Sequence, residues 1–229
     1  MTEKRKFIHS LIFPLFFIII MWSVKVIEEA FDTDLTWLGI YPHKMTGLIG
    51  VITAPLVHAD FKHLTSNSVP MLILGVGLFY FYRGIAYRVF FLSYFITGFL
   101  VWFGAREAYH IGASGVVYGL ASFIFFSGII RRDPKLMAVS LMVIFLYGSM
   151  IWGIFPFIPD ISWESHLSGG ISGFLLTIYF RHLGPQRDSF NWEDDEDNPE
   201  EYEFEKPEEK IKDETTINYF YTGKKTLLE

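Results

Sequence analysis

Up to about Leu183 this chain is a succession of apolar blocks, and beyond that point it turns polar and acidic. Six blocks, at 7–24, 64–82, 89–105, 113–130, 136–155 and 166–182, each run about 17–20 residues and are almost free of Lys, Arg, Asp and Glu. As helices rising ~1.5 Å per residue they sit near the lower end of what crosses a ~30 Å hydrocarbon core. A soluble core supplies one or two such blocks, not six in succession. The pattern predicts an all-α polytopic membrane protein with a six-span domain over 1–183. Residues 184–229 should form an acidic, disordered cytoplasmic tail.

The first block follows Lys4, Arg5 and Lys6, as the hydrophobic region of a signal peptide would. It is long, carries Trp22 and leads into Ser-Val-Lys-Val-Ile-Glu-Glu with no small-x-small cleavage site, so it reads as a span. Basic residues then orient the chain. With a cytoplasmic N-terminus, one side receives Lys4, Arg5, Lys6, Arg83, Arg88, Arg131, Arg132, Lys135, Arg181 and Arg187. The other receives Lys25, Lys44, Lys62 and Arg106, a positive-inside bias that also returns the C-terminus to the cytoplasm. The first loop, about Lys25 to His63, contains apolar stretches (Trp37 to Pro42 and Leu48 to Ile52) suited to lying on or partly in the bilayer. In the tail, Glu193 to Asp197 opens a charged run, and Ile217 to Tyr221 is a candidate docking stretch within an otherwise solvated extension.

Composition agrees: 51% of residues are hydrophobic and 24 are Phe, against 19% charged. There is no cysteine, which removes disulfides and thiolate metal sites.

Polar groups inside a membrane are expensive and tend to be kept for function. Gly112-Ala113-Ser114-Gly115 opens the fourth span, and Glu164-Ser165-His166-Leu167-Ser168-Gly169 opens the sixth. In the deduced topology both lie near the extracytoplasmic ends of their spans. A hydroxyl and an imidazole at one depth are the minimum kit for nucleophilic acyl transfer. Gly-x-Ser-Gly alone is short enough to describe an N-cap serine with glycines for packing, and His166 alone would pass as an interfacial histidine. The glycines strengthen the pairing. Gly115-x-x-x-Gly119 and Gly169-x-x-x-Gly173 are small-residue strips that let two membrane helices approach closely. Such a contact would bring Ser114 to His166, with Tyr118 one turn below the serine, where its ring can support the imidazole.

At the second span, His63 and Asn67 share a helix face and can donate hydrogen bonds to an oxygen, as a tetrahedral intermediate requires. His58, upstream, is better suited to holding the loop. A zinc reading of the two histidines lacks His-Glu-x-x-His and any acidic ligand in a nearby span, so no metal is expected. Nor does any feature call for another cofactor or a nucleic-acid partner.

In combination these motifs resemble those of the rhomboid intramembrane serine proteases, over about residues 7 to 183. His58-x4-His63-x3-Asn67 is similar to the second-span signature of that family. Gly112-Ala113-Ser114-Gly115-x-x-Tyr118 resembles its nucleophile motif, and His166-x-x-Gly169-x-x-x-Gly173 its sixth-span motif. The resemblance implies a Ser114–His166 dyad without an acidic third member. It further implies an oxyanion site from the Ser114 N–H with His63 and Asn67, and Tyr118 stacked beside His166. Substrates would be single-span or polytopic membrane proteins, cut near the outer face of a spanning helix in the bilayer. One departure is the missing Trp-Arg pair of the first loop, where Trp37 and Tyr41-Pro42-His43 stand instead. The absence of appended domains or a transit sequence fits a bacterial inner-membrane protein.

Two other functions compete. A catalytically inactive relative that binds and escorts membrane proteins would be expected to lose Ser114 or His166. A transporter or channel would carry polar residues along several spans, whereas here they gather at one end.

Overall fold

Helix caps and breakers divide the apolar blocks into discrete rods. The computed structural model describes residues 2–157 and 161–186; the tail from residue 187 on, including the acidic run and Ile217 to Tyr221, lies outside the described residues. In chain order the α-helices are α1 (Glu3–Ala30), α2 (Gly50–Thr53), α3 (Phe61–Phe81), α4 (Ala86–Gly104), α5 (Ser114–Arg131), α6 (Pro134–Tyr147) and α7 (Trp163–Tyr179). Among the described residues there is no strand, only an isolated bridge between Ile40 and His110. Asp60 caps α3 by accepting from His63 N at 2.6 Å, and Asp133 caps α6, with Pro134 in its first turn, by accepting from Leu136 N at 2.9 Å. Ser162 caps α7. Helix α5 ends at Arg132, which adopts a left-handed conformation (φ 54°).

Among the described residues, five helical segments are long and apolar enough to cross a membrane: α1, α3, α4, α5 and α6 with its 3-10 continuation Gly148–Ile154. Helix α7 has 17 residues. The exterior of these rods is apolar: Phe16 and Ile19 of α1 and Leu141 and Phe145 of α6 are all exposed. A surface of this kind belongs against lipid, and the protein is an integral membrane protein. The interior holds Met21, Leu64, Met71, Leu74, Leu78, Leu120 and Phe123. Two of its buried hydroxyls donate to backbone, Ser140 to the Ile124 carbonyl and Thr177 to the Phe123 carbonyl, as a low-dielectric core favours.

Two boundaries differ from the hydropathy reading. Helix α1 does not end before Lys25 but runs to Ala30. Lys25 is buried there and satisfied by Glu28 (3.0 Å), Glu29 (2.8 Å) and the Ala59 carbonyl (3.1 Å), so a cation that ended the apolar block did not end the helix. The fifth span is α-helical for only 14 residues before it tightens into the 3-10 segment.

The first loop, now Phe31 to Asp60, rests on α4. Trp102 donates to the Lys44 carbonyl (2.9 Å), His43 donates from Nε2 to the Phe103 carbonyl (2.8 Å), and Tyr94 donates to the Ile52 carbonyl. Val51 packs against Gly98, where an added Cβ would come within 3.0 Å of it. These contacts anchor the loop without the Trp-Arg pair.

Candidate active site

Helices α5 and α7 make the most extensive helix contact of the fold, and the glycines explain why. A Cβ on Gly169 would sit 2.0 Å from the Gly115 carbonyl oxygen, and one on Gly173 would sit 2.1 Å from that of Gly119. The α5 glycines serve a second neighbour as well. A Cβ on Gly119 would meet Ser93 Oγ at 2.0 Å, and one on Gly115 would meet the Thr97 methyl at 2.8 Å, so α4 closes on their other side.

That packing sets the first turns of the two helices side by side. His166 Nε2 lies 2.9 Å from Ser114 Oγ. His166 Nδ1 lies 2.8 Å from the Gly153 carbonyl oxygen, which can only accept. Nδ1 therefore carries the hydrogen, and Nε2 presents its lone pair to the serine hydroxyl. Tyr118 stacks on the imidazole with ring centroids 4.2 Å apart and planes 8° from parallel. Its hydroxyl donates to the Met150 carbonyl at 2.6 Å. The carbonyls that hold both rings thus come from the 3-10 segment after α6. Gly153 has no room for a side chain: a Cβ would lie 2.1 Å from Tyr118 Oη and 3.0 Å from His166 Nδ1.

Gly112 has φ +99°, a left-handed conformation natural to glycine, and its N–H donates to the Ala54 carbonyl at 2.9 Å. A Cβ there would lie 2.7 Å from the His63 ring and 3.6 Å from Asn67 Nδ2, so both side chains converge on the turn before Ser114. Asn67 is buried, and its amide donates to the His63 carbonyl at 3.2 Å. His58 is fully buried and accepts from Ala113 N at Nε2 (3.4 Å). Burial pushes its pKa down to about 4, so it stands neutral as a strut between the first loop and the turn before Ser114. His63, Asn67, Ser114, Tyr118 and His166 all line one cavity of about 790 Å³. The Ser114 N–H heads α5, where a backbone donor has no intrahelical acceptor and the dipole favours negative charge.

Sequence reasoning did not foresee the Gly153 and Met150 carbonyls, because a backbone acceptor has no residue signature. It also passed over a role for His110, Ser162, Glu164 and Arg106, which join the loop before Ser114 to the start of α7. Among the described residues no group of three or more His, Asp or Glu stands close enough to hold a metal ion.

The family model of the Rhomboid domain matches residues 46–183 of the chain. Uncharacterized proteins of Mycobacterium tuberculosis and Mycobacterium bovis are each 32% identical to it over 186 residues, covering 75% of this chain and 75% of the relative. A Bacillus subtilis protein provisionally named a rhomboid protease, YdcA, is 30% identical over 134 residues, 56% of this chain and 65% of its own.

Proposed function

The chain belongs to the rhomboid family, and from that premise we propose that it is a serine endopeptidase that cuts transmembrane segments of other membrane proteins within the bilayer. The observation that carries the reading is the His166 imidazole, tethered at Nδ1 by the Gly153 carbonyl and aimed at Ser114 Oγ from 2.9 Å.

In the reaction His166 Nε2 takes the hydroxyl proton as Ser114 Oγ bonds to the scissile carbonyl carbon. The electron pair of the carbonyl moves to oxygen, where the Ser114 N–H and the side chains of His63 and Asn67 donate hydrogen bonds. Collapse of the intermediate breaks the C–N bond, and His166 returns its proton to the leaving amine. A water then enters the cavity and is deprotonated by His166. Its oxygen displaces Ser114 from the acyl carbon while His166 returns the proton to Ser114 Oγ, giving a carboxylic acid, the free serine and the neutral imidazole. His166 rests as the neutral Nδ1–H tautomer and is an imidazolium whenever it holds a proton at Nε2, with the Gly153 carbonyl accepting from Nδ1–H in the place a carboxylate takes in a triad. Asn67 must turn its amide from the His63 carbonyl towards the oxyanion.

Six spans belong to this reading: α1, α3, α4, α5, α6 with its 3-10 continuation, and α7. Both termini face the cytoplasm, the dyad lies near the extracytoplasmic face, and the first loop is partly embedded. The chain divides into a membrane domain over 1–183 and an acidic cytoplasmic tail over 184–229, and its bacterial relatives support placement in a bacterial inner membrane. The test is to incubate the purified protein in liposomes with a single-span test substrate, beside Ser114→Ala. Cleavage by the native chain and none by the variant is expected; appreciable cleavage by Ser114→Ala would overturn the assignment.

A further inference from the structure

His110 is a buried imidazole outside the dyad, and every hydrogen-bonding atom it owns is engaged. Its backbone N–H and carbonyl pair with Ile40 of the first loop, both at 2.9 Å. Its Nε2 lies 3.0 Å from the Arg106 carbonyl oxygen, an acceptor only, so Nε2 carries the hydrogen. Nδ1, the acceptor of that tautomer, lies 2.6 Å from Ser162 Oγ. Ser162 must therefore donate to it, and Ser165, whose Oγ is 2.6 Å from that of Ser162, must donate in turn. One imidazole thus dictates the proton order of a chain running Ser165 to Ser162 to His110. Ser162 also accepts from Ser165 N at 3.4 Å as the cap of α7.

The position of this chain relative to the dyad gives it a use. His110 is four residues before Ser114, and Ser162 four residues before His166. Ser162 to His166 spans one helical turn, so the His110–Ser162 bond is a rung immediately above the Ser114–His166 bond. Arg106 supports the same junction, donating to the Ile161 carbonyl at 3.1 Å and lying 3.5 Å from the buried Glu164 carboxylate. Both His110 and Ser162 line the catalytic cavity.

From this geometry we infer that His110 and Ser162 are positioning residues that lock the nucleophile loop to the first turn of α7 and so hold Ser114 and His166 at reacting distance. The inference rests on the dyad reading above. Burial holds the His110 imidazole below its usual pKa, which keeps it in the neutral tautomer that the chain requires. The charged groups facing it are Arg106, on its own loop, and Glu164, on α7.

Cleavage of the single-span test substrate in liposomes should be measured for the native chain, Ser114→Ala, His110→Leu, Ser162→Ala, their double variant and His110→Asn. Loss of the rung lets the two first turns drift. His110→Leu should lower kcat about 10- to 100-fold with KM within about twofold, the pattern of a displaced catalytic pair. Ser162→Ala should fall in the same direction, and the double variant should be no slower than the slower single, since both break the same His110–Ser162 bond. His110→Asn, whose side-chain oxygen stands near the place of Nδ1, should recover most of the loss. Full kcat in a folded His110→Leu, or multiplicative losses in the double variant, would overturn the inference. If His110→Leu does not fold, a full kcat in Ser162→Ala does the same. A native chain that fails to cleave, or an active Ser114→Ala, overturns the dyad and the positioning role with it, a result distinct from the others.

Discussion

Gly169→Ala should be among the most damaging single-methyl additions in this protein. The new Cβ would lie 2.0 Å from the Gly115 carbonyl oxygen, which belongs to the backbone of α5 and has no rotamer to escape into. Ordinary contact for such a pair is about 3.4 Å, so α5 and α7 must part locally by roughly 1.4 Å, or less if the overlap is shared with backbone bending. His166 lies one turn away on the same helix, and its Nε2 stands 2.9 Å from Ser114 Oγ. Transmitted in full, the displacement stretches that separation to about 4 Å, beyond hydrogen-bonding range. Misplacement of about 1 Å costs a catalytic pair on the order of a hundredfold, and overpacking costs roughly 1–3 kcal/mol of stability. The control is the adjacent Gly170→Ala. Nothing stands within 4 Å of its added Cβ, and alanine is the better helix former by about 1 kcal/mol. Turnover of the single-span substrate in liposomes, with thermal unfolding to verify folding, should show Gly169→Ala down about a hundredfold in kcat and Gly170→Ala near the native value. A folded Gly169→Ala with native kcat would refute the claim that backbone contact between these helices sets the dyad distance.

Gly153→Ala should also be slow, because its Cβ would displace Tyr118 Oη and crowd His166 Nδ1; native turnover in the folded variant would show that the 3-10 segment does not orient the base. Asn67→Ala should lower kcat by up to about 10²–10³ yet stay above Ser114→Ala, with KM little changed. A fully active, folded Asn67→Ala would make Asn67 a structural polar residue and require another oxyanion donor. His58 predicts a pH dependence of stability. Its folded pKa of about 4 is below that of an unfolded histidine, so the unfolded chain takes up the proton first as pH falls. The stability it contributes is present above about pH 6.5 and is lost progressively down to about 4, roughly 3 kcal/mol in all. The thermal midpoint should drop across that window, less in His58→Gln than in the native chain. Equal drops in the two would remove His58 as the source.

How much of this was legible beforehand follows from what each feature depends on. Crossing a bilayer requires an unbroken apolar run of fixed minimum length, a property of consecutive residues, so α3, α4 and α5 fall close to their hydropathy blocks. Ser114, His166, Tyr118 and the glycine strips were visible for a related reason: polar groups and small residues are conspicuous against apolar surroundings. The end of α1 was not. Lys25 closes an apolar block, yet the helix continues because Glu28, Glu29 and the Ala59 carbonyl solvate its ammonium, and Ala59 is 34 residues away.

The residues alone determined that this is a helical membrane protein with a serine and an imidazole at the heads of two apolar segments. Only the tertiary structure decided their distance and the tautomer of the imidazole. The distance depends on glycine backbones meeting carbonyls of another helix, and the tautomer on the Gly153 carbonyl, an acceptor every residue carries and no sequence can mark. His110 belongs with them. In the chain it is one more loop histidine, and what it does depends on Ser162, 52 residues later, being brought within 2.6 Å.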